Sequence, residues 1–445
     1  MRLKRVLSLR TVVAASAGLT FASSSFVAAV QVAGFMAGDS AWLAILTGGI
    51  LCLLSAACFS ELNGALPSAA GLRLYFSRAF NERLALTVAL LYMTVLLGVI
   101  GAESYVLASV FKEVFPKTAP LFWILLMLLM VMAMNIRGIK LAGAFQDMIT
   151  YGLILSLVVM AAFGLNKVGF HLHSPLSPGG AVGMINAVAV GVFLFVGFEW
   201  VTPLAEEVID SKLISRGMFW AIGLLSITYA LLTLAMTAAV DKQILLSSTA
   251  PQIVFAQAIM GGPGLVWMTL LSLAASVTTF NAGLISVSRF MYASAREHVL
   301  PKIFAKVSER YFTPWVAICS LFVAAFAVSM AVLLTGRYMV LINMAAAMES
   351  IVYALVGLAV IRLRVKEPDL ARNYRIKGGK LIPAATFVVF SLLAVAVLVT
   401  NKFVAVYLVG GLILVYFYVL FVVPQLKKKY ASPKQVRRRP VRTEN

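Results

Sequence analysis

The stretch that decides the fold of this chain is Phe193-Leu194-Phe195-Val196-Gly197-Phe198-Glu199-Trp200-Val201-Thr202-Pro203-Leu204-Ala205-Glu206-Glu207. It begins inside a long apolar segment that has no lysine, arginine or carboxylate at positions 168–198, so Gly197 and Glu199 lie at membrane depth. Glycine leaves helical geometry at low cost, whereas a carboxylate in hydrocarbon is costly unless it is used. The stretch therefore predicts a broken transmembrane helix with a ligand site at the break. The alternative is a kinked structural helix whose Glu199 pairs with a neighbouring side chain.

The composition sets the class of protein. Hydrophobic residues make up 62% of the 445 positions, charged residues make up 12%, and the mean hydropathy is +0.97. A soluble domain of this size could not carry so much apolar surface, which predicts an all-α, polytopic membrane protein. The net charge of +20 does not indicate nucleic acid, because the basic residues lie in short breaks between apolar runs. The three cysteines lie inside apolar runs, so no disulfide framework is predicted.

Twelve membrane spans are predicted. Residues 11–38 carry no charge and follow a basic start that imitates a secretory signal, but the run is longer than a signal's apolar core and is taken as span 1. A cleaved signal is the alternative. Spans 2 to 12 are predicted, in order, at residues 41–63, 84–111, 119–136, 143–165, 183–205, 217–240, 264–290, 314–335, 339–361, 381–400 and 403–424. A short outer helix at about residues 250–260 precedes span 8.

The basic residues predict the orientation. Of the 37 lysines and arginines, 31 fall at the termini and in the loops on one side of the twelve spans, and 6 fall on the other side. Both termini are therefore predicted to be cytoplasmic, residues 1–10 as a short N-terminus and residues 425–445 as a disordered basic tail with affinity for anionic lipid.

Several function classes are excluded by missing motifs. The chain has no Gly-x4-Gly-Lys-Ser/Thr pattern and no loop long enough for a nucleotide-binding domain. His171 and His173 have no third ligand nearby, and neither a His-Glu-x-x-His motif nor a nucleophile with its base is present. No enzyme activity, metal or cofactor is predicted.

Four stretches resemble signatures of the amino acid/polyamine/organocation (APC) transporter superfamily. They are residues 59–71 (FSELNGALPSAAG) with Tyr75; residues 135–140 (NIRGIK); residues 197–207; and residues 281–283 (NAG) followed by 288–301 (SRFMYASAREHVLP) and 313–314 (TP). The resemblance implies a LeuT-like core of two inverted repeats, residues 11–165 (spans 1–5) and 183–361 (spans 6–10), with spans 11 and 12 (residues 381–424) at the periphery. Spans 1 and 6, the first of each repeat, are also the two with interruption signals: Gly18 and positions 22–25 in one, Gly191 and Gly197 in the other.

The predicted orientation of the two breaks suggests a substrate. Span 1 enters from the cytoplasm, so the backbone N–H groups of Ser24, Ser25 and Phe26 beyond its break suit a carboxylate. Span 6 enters from outside, so carbonyl groups at positions 193–196 suit an ammonium group. An amino acid carries both a carboxylate and an ammonium group. The substrate site is therefore predicted to comprise Ser23, Ser24, Ser25, Phe26, Phe193, Phe195, Val196, Gly197 and Phe280, the phenylalanines as apolar or cation–π walls unless they only pack.

Two departures from the family pattern bear on substrate and ion. Many relatives have glycines through the break in span 1, where this chain has three serines; these are candidate hydroxyl donors or small packing residues, and an amine without a carboxylate remains open as substrate. Several relatives also carry a lysine in span 5 that replaces a bound cation, where this chain has Leu153. Ser276 and Thr279 are candidate ion ligands, but hydroxyl groups alone make a weak sodium site, so no sodium dependence is predicted.

Three carboxyl groups at membrane depth are candidate proton carriers. They are Glu103 in span 3, Glu199 in span 6 and Glu349 in span 10, and hydrocarbon disfavours their charged form. Glu199 ranks first, and the alternative for the other two is a hydrogen-bonded peg between helices.

The predicted function is secondary transport of amino acids across the cell membrane by alternating access, proton-coupled or exchanging. An amine or polyamine transporter of the same fold is the first alternative, and a non-transporting sensor is a remote one. A channel would need a continuous polar stripe, which is absent from the sequence. The predicted partners are a small-molecule substrate and the lipid bilayer, with no nucleic acid; protein partners are left open.

Overall fold

The computed structural model describes residues 5–22, 25–26, 29, 40–168, 180–248 and 250–430. These residues are almost entirely helical, and the β-structure among them is limited to an isolated parallel bridge between Leu7 and Val208. The fold class predicted from composition is confirmed.

Eleven helices in the described ranges are long and apolar enough to cross a membrane. Spans 2 to 5 are Ala41–Ala65, Glu82–Val114, Pro120–Arg137 and Ile139–Val168. Span 6 is divided into an α-helix, Gly180–Phe193, and a 3-10 helix, Phe198–Glu206. Spans 7 to 11 are Lys212–Ala239, Gly262–Arg296, Trp315–Thr335, Tyr338–Lys366 and Leu381–Thr400. Span 12 begins as Lys402–Phe417, passes through a π turn at Tyr418–Val422 and ends as Val423–Tyr430.

Span 1 begins as the helix Leu9–Thr20. Much of the rest of its predicted range, including Ser23 and Ser24, lies outside the described residues, as do His171 and His173. The short outer helix predicted before span 8 is present as Pro251–Met260.

The predicted start of the disordered tail at position 425 is wrong by six residues. The last helix continues through the three lysines to Tyr430, where Lys427 forms an ion pair with Glu82 (2.8 Å). The sequence pattern missed this turn because three successive lysines carry no apolar signal. The remaining tail, from 431 on, lies outside the described residues.

Burial separates the central spans from the peripheral ones. In the most apolar window of each span, 83% of residues are buried in span 8, 76% in span 6 and 72% in span 3, but only 28% in span 11 and 17% in span 12. Spans 11 and 12 therefore present most of their surface to lipid, because apolar side chains need no protein cover in hydrocarbon. The site described next lies among the buried spans.

Candidate functional site

Span 6 is broken at the predicted place. Its α-helix ends at Phe193, the backbone turns at Leu194–Gly197, and the 3-10 helix begins at Phe198. Gly197 has φ +106°, in the left-handed region that favours glycine. A β-carbon there would also lie 2.9 Å from the Leu19 side chain of span 1. Gly197 is therefore required both by its backbone conformation and by the closeness of span 1.

The carbonyl groups of this break are less open than predicted. The Phe193 carbonyl accepts the Val196 amide (3.0 Å) and the Phe195 carbonyl accepts the Phe198 amide (3.4 Å). The prediction of unpaired carbonyl groups is wrong for these two. The chain turns tightly enough for each carbonyl group to accept a hydrogen bond from the backbone amide three residues later, as in a 3-10 turn. A second lone pair remains on each oxygen for a ligand.

The break signals at Gly191 and Gly18 mark close helix contacts and lie inside helices. A β-carbon on Gly191 would lie 3.2 Å from the Ala44 carbonyl of span 2. A β-carbon on Gly18 would lie 1.7 Å from the Gln146 side chain of span 5. Their lack of a side chain lets neighbouring helices approach, which is the common role of small residues in membranes.

Span 1 breaks after Thr20, and hydroxyl groups satisfy the carbonyl oxygens at its end. The Thr20 carbonyl accepts Tyr229 (3.0 Å) and Ser25 (3.2 Å), and the Phe21 carbonyl accepts Thr279 (2.9 Å). The Ser25 amide donates to the Ala22 carbonyl (3.0 Å), so it is not the free donor that was predicted. The amide is already used by the backbone hydrogen bond that closes the turn.

Tyr229 also links the two breaks through aromatic contacts. Its ring centroid lies 4.9 Å from that of Phe21 in span 1 and 6.3 Å from that of Phe195 in span 6. Phe26, Phe193 and Val196 lie close in sequence to the two breaks, and all three are buried. Phe280 instead lines a small apolar cavity of about 10 Å³ together with Ile100 of span 3. The predicted phenylalanine set is therefore divided between two places.

Two of the three predicted carboxyl groups meet in one cluster beside the break. The Tyr92 hydroxyl of span 3 hydrogen-bonds both Glu199 and Glu349, the latter at 2.6 Å. Tyr353, one turn after Glu349 in span 10, donates to Glu199 (2.7 Å). The Gly197 amide donates to the other Glu349 oxygen (3.4 Å). We call Tyr92, Glu199, Glu349 and Tyr353 the carboxyl cluster.

The two contacts of the Tyr92 hydroxyl bear on the protonation of the carboxyl cluster. The Tyr92 hydroxyl has one hydrogen and can donate it to only one of the two carboxyl groups. Its second contact is a hydrogen bond only if the other carboxyl group is protonated and donates to the phenol oxygen. Glu199 accepts from both Tyr92 and Tyr353, which suits a carboxylate, and in that arrangement a proton of the cluster would lie on Glu349. All four side chains are buried, and the cavity beside Glu199 is only about 10 Å³, the space of one water molecule.

The sequence predicted the two acids but not their tyrosines. Tyr353 could have been found, because it follows Glu349 by four positions and the two therefore share one helix face. Tyr92 has no local signal, since it reaches the carboxyl groups from span 3 through packing alone.

Glu103 and the two predicted ion ligands lie apart from the carboxyl cluster. Ser276 donates to Glu103 (2.5 Å), joining spans 8 and 3. Thr279 lies within hydrogen-bond distance of the carbonyl oxygens of Gly18 (3.3 Å), Phe21 (2.9 Å) and Ala275 (3.1 Å). Ser276 and Thr279 therefore contact different groups. Leu153, at the position where several relatives have a lysine, is a buried apolar side chain.

A chain of amide side chains, not predicted from the sequence, joins spans 4, 8, 5 and 1. Asn135 donates to Asn281 (2.7 Å), Asn281 donates to Gln146 (2.8 Å), and Gln146 donates to the Ala14 carbonyl (3.2 Å). Every member is buried. Such a chain holds the spans in register, because each broken bond would leave a polar group unsatisfied in a dry interior.

Ion pairs join the spans at the predicted cytoplasmic end. Glu207, directly after span 6, pairs with Arg289 of span 8 (2.8 Å), and both side chains are fully buried. The Glu207 carbonyl also accepts the amides of Val6 (2.8 Å) and Leu7 (3.0 Å) from the N-terminal segment. This end of the bundle is therefore closed around Glu207.

Several further ion pairs each include a residue of the four signature stretches. Glu206 pairs with Arg296 (2.9 Å), Arg73 pairs with Glu297, and Glu61 pairs with Arg364 (2.5 Å) and Arg372 (3.5 Å). Arg78, in the short helix Leu72–Ala79 between spans 2 and 3, binds Glu367 at the end of span 10 through two hydrogen bonds, 2.9 and 2.5 Å, and these bonds and its charge hold the pKa of Glu367 below its ordinary value.

A broken span 6 that lies against span 1 at Gly197 and beside a buried carboxyl cluster, inside a polytopic helical bundle, is typical of a membrane transporter. An amino acid permease family model matches residues 7–425. The chain belongs to the amino acid permease family, and it is a permease and not an enzyme.

Individual relatives agree with this assignment. The human Asc-type amino acid transporter 1 is 29% identical over 371 residues, which are 79% of this chain and 69% of the relative. The human Large neutral amino acids transporter small subunit 2 is 26% identical over 348 residues, 74% of this chain and 64% of the relative. The Methylthioribose transporter of Bacillus subtilis (strain 168) is 24% identical over 411 residues, 86% of each chain. The chain thus covers 64% to 69% of the length of the two human relatives.

Proposed function

We propose that this permease is a secondary transporter that carries an amino acid across the cell membrane together with a proton, and that both its termini are cytoplasmic. Its membership of the amino acid permease family and the names of its two human relatives support an amino acid as substrate. The proton is supported by the carboxyl cluster, whose hydrogen bonds need one proton more than the two tyrosines supply.

The coupling step follows from the bond between Glu349 and Gly197. While Glu349 is protonated, it donates to Tyr92 and accepts from the Gly197 amide, and the break in span 6 is held against span 10. When the proton leaves, two carboxylates face one phenol hydrogen and repel each other in a medium that screens poorly. This repulsion between Glu199 of span 6 and Glu349 of span 10 favours separation of the two spans, which links loss of the proton to movement of the substrate site.

A second candidate substrate is methylthioribose. It is supported by the Bacillus subtilis relative, which aligns over 86% of both chains. Its candidacy fits the serines in the break of span 1, since the hydroxyl groups of a ribose need hydrogen-bonding partners and the ligand has no charged ends.

Counterflow in proteoliposomes tests the proposal. Vesicles preloaded with a mixture of unlabelled amino acids should accumulate a labelled member of that mixture, and an inward proton gradient should drive uptake without preloading. Parallel arms with labelled methylthioribose and a labelled polyamine test the other substrates. Exchange without any response to the proton gradient would reject proton coupling, and absence of exchange in every arm would reject carrier function in favour of a sensor.

A further inference from the structure

A cavity of about 330 Å³ lies at the end of the bundle that carries the ion pairs, away from the carboxyl cluster. It is formed by the end of span 2, the first turns of span 7 and the loop after span 10. Its polar lining consists of Ser211, Lys212, Ser215, Arg216, Asn373 and Tyr374. This lining includes two cations and no carboxylate.

The two cations are available to a ligand. Lys212 and Arg216 are exposed, one helical turn apart at the start of span 7, and neither forms an ion pair within the described part of the chain. They lie at the positive end of a 28-residue helix. Asp210, which precedes that helix, accepts a hydrogen bond from the Lys212 backbone amide (3.0 Å) through one carboxylate oxygen. It is not part of the cavity lining.

A buried hydroxyl group independently points to a ligand. Ser215 is only 7% exposed and lines the cavity, yet its hydroxyl has no hydrogen-bond partner among the described residues. The Ser215 oxygen is not among the fully enclosed unpaired polar atoms of the described residues, so it opens onto the cavity and can donate a hydrogen bond to a ligand there. The cavity is the open side from which a partner can reach it.

The walls of the cavity are formed by packing that is already in place. The Asn373 amide donates to the Gly64 carbonyl of span 2 (3.3 Å), which fixes the loop after span 10. A β-carbon on Gly64 would lie 3.0 Å from the Tyr374 amide nitrogen, so the loop approaches as closely as only glycine allows. The Tyr374 ring lies 6.1 Å from that of Phe219.

We propose that this cavity binds a phosphate-bearing anion. Guanidinium and ammonium groups supply charge-assisted hydrogen bonds to phosphate oxygens, and the serine hydroxyls and the Asn373 amide add neutral donors. The same chemistry is offered by the headgroup of an anionic phospholipid and by a free phosphate compound of the cytoplasm. Ile209 and Trp220 precede and follow the cavity-lining residues of span 7 in the chain, and their apolar side chains are 63% and 62% exposed. Exposed side chains of this kind at the end of a span are typical of the membrane interface.

Thermal unfolding of the purified full-length protein tests this site. One arm titrates inorganic phosphate in neutral detergent against chloride at equal ionic strength. The other arm titrates phosphatidylglycerol into the micelles against phosphatidylcholine. A ligand that binds the folded state raises the melting temperature in a saturable manner. The test variant is Lys212→Gln with Arg216→Gln, and the control is Lys377→Gln with Lys380→Gln, which removes the same charge from exposed positions outside the cavity.

We expect saturable stabilisation of the wild type, weakened at least about tenfold in apparent affinity in the test variant because two charge-assisted contacts are lost. The control should keep wild-type affinity. Ser215→Ala should also bind more weakly while unfolding at the wild-type temperature without ligand, since its hydroxyl has no protein partner to lose. Stabilisation by inorganic phosphate indicates a soluble compound, and stabilisation by phosphatidylglycerol alone indicates a lipid headgroup. No saturable effect in either arm, or equal loss in the test and control variants, would overturn the proposal.

Discussion

Glu349 in span 10 accepts a hydrogen bond from the backbone amide of Gly197, the residue at which span 6 is broken (3.4 Å). The other oxygen of the same carboxyl group contacts Tyr92 (2.6 Å), which also contacts Glu199. A titratable group thus touches both the unwound backbone of span 6 and a second acid. The proposed coupling between protonation and the shape of the break would act through this single side chain.

The first prediction concerns the carboxyl cluster. Glu199→Gln and Glu349→Gln should each keep substrate binding and lose the acceleration of uptake at acid pH, because glutamine preserves the shape of the side chain and cannot titrate. Uptake by the purified variants in proteoliposomes, measured from pH 5 to pH 8, checks this.

Glu103→Gln is the matched control, since Glu103 is equally buried but bonds Ser276 outside the carboxyl cluster. It should keep the wild-type pH profile. A wild-type profile in Glu199→Gln and Glu349→Gln, with a flat profile in Glu103→Gln, would transfer the coupling role to Glu103.

The second prediction concerns the broken helix. Gly197→Val should abolish uptake while the protein still inserts into the membrane, because φ +106° and the Leu19 contact at 2.9 Å exclude a side chain there. Gly152→Val in span 5 is the control, since a β-carbon on Gly152 meets no atom within 4 Å. Initial uptake rates normalised to membrane-inserted protein give the comparison. Equal rates in both variants would remove the requirement for a break.

The third prediction concerns sodium. Replacing sodium by choline at constant pH should leave uptake unchanged, because Ser276 is engaged with Glu103 and the groups that Thr279 contacts in the described part of the chain are carbonyl groups without a carboxylate. Radiolabelled uptake in the two salts is the measurement. A collapse of uptake in choline, restored by sodium and abolished by Thr279→Ala, would establish a sodium site at Thr279.

The fourth prediction concerns the ion pairs at the predicted cytoplasmic end. Glu207→Gln should destabilise the protein by about 3 to 5 kcal/mol, because it leaves Arg289 charged and unpaired in a fully buried place. Thermal unfolding in detergent gives the shift. The control is Glu367→Gln, whose loss of the Arg78 pair should have little effect because Arg78 is exposed.

The control pair also has a defined pH response. Because Arg78 lowers the folded-state pKa of Glu367, whatever stabilisation the pair gives is present above the unfolded pKa of about 4.3 and is lost as the pH falls through the lowered folded value. A Glu367→Gln variant that unfolds as readily as Glu207→Gln at pH 7 would contradict the ranking of the two pairs.

The fifth prediction concerns orientation. In a variant without native cysteines, a cysteine at position 242 should react with an impermeant thiol reagent added to intact cells, and a cysteine at the exposed position 377 should react only after the cells are opened. Gel shift after labelling reports both. The reverse pattern would mean that the charge count assigns the wrong side.

The sequence alone determined the class of protein, the positions of the spans and the place of one break. Apolar runs must be about 20 residues long to cross hydrocarbon, so spans 2 to 12 can be located from the uncharged runs of the sequence. Gly197 beside Glu199 marked the break in span 6, because a flexible backbone and a buried acid are both costly without a use. The four signature stretches between residues 59 and 314 indicated the family, although the ion pairs of their residues could not be assigned from order in the chain.

Only the tertiary structure decided which buried acids act together. Glu199 and Glu349 are 150 positions apart and Tyr92 lies on a third span, so no local pattern records their meeting. The same holds for Gly18 and Gly191, whose sequence suggests breaks and whose neighbours, Gln146 and Ala44, show close packing instead. Hydrophobicity and backbone preference act along the chain and can be deduced from the sequence. Hydrogen bonds between spans depend on helix rotation and contact in three dimensions, and these are set only when the whole bundle packs.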